Sequence, residues 1–394
     1  MDSTETSLKL SRLSFSASEA REHHDHVRSV SKILSPRSSM AKKVAGASIG
    51  PFPFADVEAD SGLVSDVPEQ LPEEHADADL VSALPSAPMA MGLSNLRLYK
   101  GFWLPEWSVP AAVALQRRFE PRRDDVIVAS FPKSGTTWVN ALTFATMARR
   151  AYPAADAGHP LLRLNPHQCI PFLEGLLGSR RGEAKLEALP SPRLMNTHMP
   201  LAMMPRTAAP PPGGGGCKVV YVCREPKDMV VSRWHFHRRL HPELPFADVF
   251  EAVCSGAVAY GPAWDHMLGY WSASTARPDS VLFLRYEDLL RDPAEHVRAL
   301  ARFVGLPFSG AEEDAGVVDD IVKLCSFGHL KNLEANKTGN LNPMLPIPRD
   351  ALFRKGVAGD WANHMTPEMA RRLDEIVADK LHAVGLAFHE GRLD

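Results

Sequence analysis

Hydrophobic positions along this chain change character near residue 95. Before it, apolar residues stand singly among Ser, Pro, Ala and acidic residues, with no sustained helix or strand period. After it, short apolar runs alternate with longer amphipathic stretches. Four runs have strand character, at residues 126–129, 194–196, 219–223 and 281–284, each followed by polar residues, Gly or Pro. Helical spacing occupies residues 137–149, 227–239, 246–258 and 293–304. Strands alternating with helices predict an α/β fold, a single domain with a central parallel sheet flanked by helices. That domain is assigned to residues 93–394, its packed part opening on Phe102, Trp103, Trp107 and Phe119. Residues 1–92 are read as a disordered, low-complexity extension that buries too little to offset the entropy of ordering it. The run PPPGGGG at 210–216 is read as a surface loop away from the chemistry.

Composition narrows the class. Hydrophobic residues make up 45% of the 394 and charged residues 23%, as in soluble globular proteins. No run approaches the roughly 20 apolar residues of a bilayer-spanning helix, so no membrane partner is expected. Cys169, Cys217, Cys223, Cys254 and Cys325 are scattered without a C-x-x-C pair, which predicts reduced thiols in a cytoplasmic setting and no zinc site. His23, His24 and His26 sit on a Ser-rich tail and read as a solvated polar run. The Ser/Arg-rich opening has some character of a plastid transit peptide. Asp2, Glu5, Glu19, Glu22 and Asp25 argue against that, because such peptides are poor in acids. Residues 51–96 carry nine acidic and no basic residues, so the remaining globular part is mildly positive. That balance suits a small anionic ligand and not a nucleic-acid track.

In a parallel sheet, ligands bind beyond the carboxyl ends of the strands. After the first predicted strand comes Ser130-Phe131-Pro132-Lys133-Ser134-Gly135-Thr136-Thr137-Trp138, a tight loop opening a helix. Gly135 permits close backbone approach, the helix start offers amides to an anion, and Lys133 adds a mobile charge. This is not a Walker A loop, which places its Lys after the second Gly. Here Lys133 precedes the only Gly, so the shorter cradle suits a single 5′-phosphate with its attached group. After the third strand, Arg224 leaves the sheet and Ser232 falls within the next helix; near the C-terminus stand Arg354, Lys355 and Gly356. Two separate anion subsites match the charge layout of a 3′,5′-bisphosphorylated nucleoside.

The strings FPKSGTTW, CREPKDMVVS, RYEDLLRDP and FRKGVAGDW, in this order, resemble the soluble cytosolic sulfotransferases, the plant branch in particular. The resemblance runs from the string GFWLPEW at 101–107 to residue 385. It implies 3′-phosphoadenosine-5′-phosphosulfate (PAPS) as co-substrate, no metal, a P-loop-like phosphosulfate-binding loop and a hydroxylated small-molecule acceptor. By that likeness Lys133, Ser134, Gly135, Thr136 and Thr137 hold the 5′-phosphate and sulfonate. Arg224, Ser232, Arg354, Lys355 and Gly356 match the 3′-phosphate positions, and Trp138, Tyr286 and Phe327 those that enclose adenine. His198 matches the catalytic base, with Lys133 stabilising the leaving group.

There are three departures from the family pattern. Cys325 stands where a Thr often contacts the base. Asn196 stands where many animal members carry Lys. The stretch 362–368 lacks the dimer segment of many animal members, so a monomer is expected; Thr366 and Pro367 read there as N-cap and first residue of a terminal helix. Acceptor contacts are expected from Phe102, Trp103, residues 171–177 and residues 235–237, and the acceptor class spans flavonoids, steroids, hydroxyjasmonate-like acids and other phenols or alcohols. Two other readings are open from the residues: a P-loop-type small-molecule phosphotransferase, and an inactive bisphosphonucleotide-binding protein.

Overall fold

Val126–Ser130 is fully buried along its length, so this strand needs pairing at both edges and covering on both faces. A computed structural model meets that need; it describes residues 50–60, 74–89, 94–205, 216–342 and 345–388. The chain enters through helices α1 (Phe54–Asp60) and α2 (Glu74–Ala83) and a small antiparallel sheet of β1 (Ser86–Ala87), β2 (Leu96–Tyr99) and β3 (Phe102–Pro105). There follow α3 (Val109–Arg117), β4 (Val126–Ser130) and α4 (Thr136–Ala148). Three short helices, α5 (Pro166–Cys169), α6 (Leu173–Leu177) and α7 (Arg180–Ala188), lead to β5 (Leu194–Thr197). Next come β6 (Lys218–Cys223), α8 (Pro226–His237), α9 (Phe246–Cys254), α10 (Ala263–Ala276), β7 (Val281–Arg285), α11 (Tyr286–Arg291) and α12 (Pro293–Phe303). Short helices and a β-hairpin carry the chain to a terminal helix, Pro367–Leu381.

The four central strands lie in the order β5-β4-β6-β7 and all pair in parallel. Successive side chains alternate between two cores: Ile127 and Ala129 face one, Val126 and Val128 the other. The predicted α/β class and all four strands are found, three of them longer by one residue at the carboxyl end and one, Lys218–Cys223, by one residue at the amino end. The helix read over 246–258 stops at Cys254, because Gly256 turns left-handed at φ 79°. All described residues belong to one unit, Ser48–Asp394.

Part of the segment read as an extension is folded. Phe54 and Val57 of α1 pack against the core, while Asp56 pairs with Arg163 at 2.5 Å and Glu58 pairs with Lys185. These anchors are ionic and leave no mark in apolar periodicity, which is why the sequence reading missed them. The tail histidines and the transit-like opening lie outside the described residues, as does the run 210–216 apart from Gly216.

The entry ends of β4 and β5 are tied by a buried ion pair. Arg193 and Asp125 are both completely buried, with Nη2 to Oδ2 at 2.6 Å and Nε to Oδ1 at 3.0 Å. Arg193 also donates to Glu187 at 2.8 Å and to the carbonyl of Glu120 at 3.0 Å. Removing one partner of such a pair strands a buried charge. Asp125→Ala is therefore expected to lower the unfolding free energy by about 3–5 kcal/mol, read from the urea midpoint at constant slope; a loss below about 1 kcal/mol contradicts this account.

Candidate active site

The loop between β4 and α4 is shaped by two left-handed residues, Lys133 at φ 73° and Gly135 at φ 110°. For Lys133 that conformation is strained by about 1–3 kcal/mol, a level usually kept only where surroundings impose it. Gly135 is obligatory for space as well, since a Cβ there would lie 2.7 Å from the Tyr286 ring. As N-cap it has no side chain to satisfy the first amides of α4, which is the arrangement that receives an anion. Lys133 Nζ sits 3.9 Å from the centre of the Phe236 ring. Burial, with Arg224, Arg233 and Arg354 nearby, pushes its ammonium down to about 7.

His198 follows β5 directly. Its Nδ1 lies 2.8 Å from the carbonyl oxygen of Ser130. A carbonyl only accepts, so Nδ1 carries the hydrogen and Nε2 keeps its lone pair. Burial pushes this imidazole down to about 4, with Arg233 and Lys133 acting in the same direction and the Ser130 bond opposing; it is neutral at pH 7. The backbone around it is clamped. Glu174 Oε1 accepts from the His198 amide at 2.7 Å and from Thr197 Oγ1 at 3.0 Å. His266 Nε2 donates to the His198 carbonyl at 2.9 Å while its Nδ1 accepts from the Tyr221 hydroxyl at 2.9 Å. Tyr270 donates to the Met199 carbonyl at 2.8 Å. The rings of Phe172 and Tyr260 flank the imidazole at 5.4 and 5.5 Å.

The second cationic group is built around Asp228, which is fully buried on α8. Its carboxylate accepts from the amides of Gly359 at 2.6 Å and Trp361 at 2.9 Å. That holds the segment carrying Arg354, Lys355 and Gly356 beside Arg224, whose Nη2 donates to the Val357 carbonyl at 2.8 Å. Asp360 pairs with Arg354 and, at 2.6 Å, with Lys355. The Arg224 guanidinium lies 4.6 Å over the Tyr286 ring. Tyr286 meets Trp138 edge-on at 5.5 Å, and a Cβ on Gly356 would collide with Phe327.

These groups line one cavity of about 950 Å³, a volume at the upper end for a ligand site. Of the residues singled out in the sequence, Lys133, Gly135, Thr136, Thr137, Trp138, His198, Arg224, Ser232, Tyr286, Phe327, Arg354, Lys355 and Gly356 all border it. Two do not. Ser134 is buried within the loop, and Cys325 is fully buried in the core on the α4 side of the sheet, with its neighbour Ser326 on the cavity wall instead. Phe102 and Trp103 also miss the cavity. Trp103 pairs its backbone with Tyr260 and Gly261, and the Pro105 and Trp107 side chains supply the wall. Asn196 is structural: its amide donates to the carbonyls of Ile170 at 2.9 Å and Pro171 at 3.0 Å, fixing the segment that presents Phe172.

Several wall residues escaped the sequence reading. His167 meets Thr137 Oγ1 at 3.0 Å, and Tyr260 flanks His198. Arg233 follows Ser232 on α8, where a charged residue inside an otherwise buried helical run was a signal available in the sequence. Phe54, Glu58 and Met89 come from the segment read as an extension. Among the described residues no group of three or more His, Cys, Asp or Glu is placed to hold a metal ion, and no helix is long and apolar enough to cross a membrane.

Comparison with known proteins agrees with this geometry. Residues 123–385 match the family model described as a sulfotransferase domain. Cytosolic sulfotransferase 8 of Arabidopsis thaliana is 42% identical over 336 residues, covering 82% of this chain and 98% of that protein. Flavonol 4'-sulfotransferase of Flaveria chlorifolia is 40% identical over 315 residues, covering 78% and 96%. The crystal structure of mouse sulfotransferase SULT7A1 complexed with PAP superposes with a TM-score of 0.56 at 29% identity, covering 73% of this chain and 95% of that one. The chain belongs to the sulfotransferase family, within its plant cytosolic branch.

Asp228 touches the segment and not the cavity, so its substitution isolates positioning from contact. Asp228→Ala is expected to weaken adenosine 3′,5′-bisphosphate binding by about 10- to 100-fold, the worth of charge-assisted hydrogen bonds. Calorimetric titration checks this, and unchanged affinity in a folded variant would refute the clamp.

Proposed function

We propose that this protein moves the sulfonate group of PAPS to a hydroxyl of a small molecule by in-line displacement. The observation that carries the reading is the neutral His198 with its Nε2 lone pair free, on the same cavity wall as the Lys133 loop. Amides at the start of α4, with Thr136, Thr137 and Lys133, suit the 5′-phosphate and sulfonate. Arg224, Ser232, Arg354, Lys355 and the close approach at Gly356 suit the 3′-phosphate, with Trp138, Tyr286 and Phe327 around the adenine. The buried Arg224 Nε and Trp138 Nε1 have no hydrogen-bond partner, as expected of donors whose acceptors arrive with a ligand.

In this mechanism His198 Nε2 takes the proton of the acceptor hydroxyl as its oxygen attacks sulfur. The bond from sulfur to the bridging phosphate oxygen breaks, and Lys133 stabilises the charge developing there. Flavonols, the substrates named for one relative, fall within the acceptor class, as do other phenols and alcohols. The reading also keeps the protein a cytoplasmic monomer: Thr366 caps the terminal helix, accepting from the Met369 amide at 3.3 Å with Pro367 at its first position, where many animal relatives dimerise.

Incubation with sulfur-labelled PAPS and a panel of phenols, steroids and hydroxylated acids is expected to give labelled products without ATP or Mg²⁺. Phosphoryl transfer from ATP instead would replace this reading with a phosphotransferase. His198→Ala is expected to lower kcat by at least about 100-fold while bisphosphate affinity holds within about threefold of wild type.

Proton linkage offers an independent check. Lys133 is held down to about 7 in the free protein, whereas phosphate oxygens beside it favour the charged form and raise it. Its folded value therefore increases on binding, so bisphosphate binding takes up protons above pH 7 and affinity falls as pH rises from 7 to 9. Calorimetry at pH 8 in buffers of different ionisation enthalpy should show an uptake approaching about one proton, absent in Lys133→Met. Zero uptake in wild type would contradict the assignment.

A further inference from the structure

Among the described residues, the buried guanidinium groups other than that of Arg233 are paired with the protein's own carboxylates. Arg193 has Asp125 and Glu187, and Arg149 has Glu312 at 2.8 Å. Arg233 is the exception. It is 1% exposed, among the largest fully buried side chains, and it lines the cavity. Its Nε and Nη1 have no hydrogen-bond partner, and no carboxylate pairs with it among the described residues. Its contact is the Phe131 ring, 5.6 Å from the guanidinium carbon. Burial lowers it to about 10, so it is charged at neutral pH and uncompensated. A buried charge is normally retained only with a partner, and here that partner is a ligand.

The anions of the donor have their subsites at the Lys133 loop and at Arg224 with Arg354. Arg233 stands by Phe131 of that loop and by Tyr260, and acts electrostatically on both Lys133 and His198. Tyr260 and Phe172 flank the imidazole that would take the hydroxyl's proton. We propose that Arg233 is a specificity-determining residue for an acceptor that bears a carboxylate, its planar fork holding the carboxylate while the acceptor's hydroxyl is presented to His198. This rests on the sulfotransferase reading and narrows its acceptor class to hydroxylated acids.

The test compares each acid with its own methyl ester, using 3-(4-hydroxyphenyl)propionic acid and 12-hydroxydodecanoic acid as probes. Wild-type kcat/KM is expected to favour acid over ester by about 10- to 100-fold, the worth of hydrogen bonds to a charged group. In Arg233→Met the acid-to-ester ratio should collapse to within about threefold of unity, chiefly through acceptor KM, with the KM for PAPS little changed. Wild-type preference for the esters, or equal use of both, overturns the proposal and needs no folded variant. A raised KM for PAPS with an unchanged acid-to-ester ratio also overturns it, assigning Arg233 to the donor sulfonate. Neutral 2-naphthol and bisphosphate titration report on the underlying reading separately. Transfer to naphthol without acid preference defeats only the Arg233 inference, whereas no transfer to any acceptor and no bisphosphate binding defeats both.

Discussion

Ala129 of β4 lies opposite Thr197 of β5, and that parallel register delivers Ser130 and His198 from the sheet side by side. The carbonyl of Ser130 then receives the Nδ1 hydrogen, which fixes both the ring plane and the tautomer. A slip of one residue would send His198 to the opposite face of the sheet. The register is in turn held at the other end of the same strands by the Arg193–Asp125 pair, and along their length by alternate burial of side chains in two cores. Above the strand ends, Glu174, His266 and Tyr270 each bind the backbone on either side of the ring. His198 is thus positioned by main-chain contacts from three elements and keeps its Nε2 lone pair unspent.

The same cavity carries an imbalance of charge. Lys133, Arg224, Arg233 and Arg354 converge on it, while Asp228 and Asp360 are occupied in holding the segment that bears Arg354 and Lys355, and Glu58 on the wall is paired with Lys185. Burial and the neighbouring guanidinium groups hold the Lys133 ammonium down, and its charge is what a bound polyanion restores. A site of this kind is unfavourable when empty and gains on binding what it lacks alone. The left-handed Lys133 adds to that tension, so the fold carries both electrostatic and conformational strain where the donor is expected.

Periodicity made the sheet legible because parallel strands buried on both faces read as uninterrupted apolar runs. The phosphate loop was legible for a different reason: a Lys, a Gly and paired Thr between a strand and a helix have few other uses. What stayed hidden depends on contacts across the sequence. Asp228 looks like a solvated acid in the string EPKD until the 359–361 amides are seen to point at it. Helix α10 carries Gly, Tyr, Trp and Thr in place of strong helix formers, so tertiary packing makes it a helix and places His266 and Tyr270. Helix α1 is fastened by ion pairs to residues more than 100 positions away, and no local pattern announces that. Phe102 and Trp103 were placed in the pocket as aromatic residues, whereas the wall is supplied by Pro105 at the end of the strand and Trp107 in the turn after it.

Two single positions redistribute charge around the base relative to the animal members that this chain resembles. Asn196 occupies the place of a cation on β5, and its amide is spent on the Ile170 and Pro171 carbonyls, which seats Phe172 against His198. A cation is present all the same, contributed from α8 by Arg233. A lysine projecting from the β5 edge would stand near the transferring group, where it serves any acceptor alike. The Arg233 guanidinium lies beside Phe131 and Tyr260 and presents a directional fork. On the proposed role of Arg233, moving the charge exchanges general electrostatic assistance for selection. Lys133 and His198 border the same cavity, and the burial that leaves Arg233 without a carboxylate among the described residues is a cost that an acceptor bringing its own anion would offset.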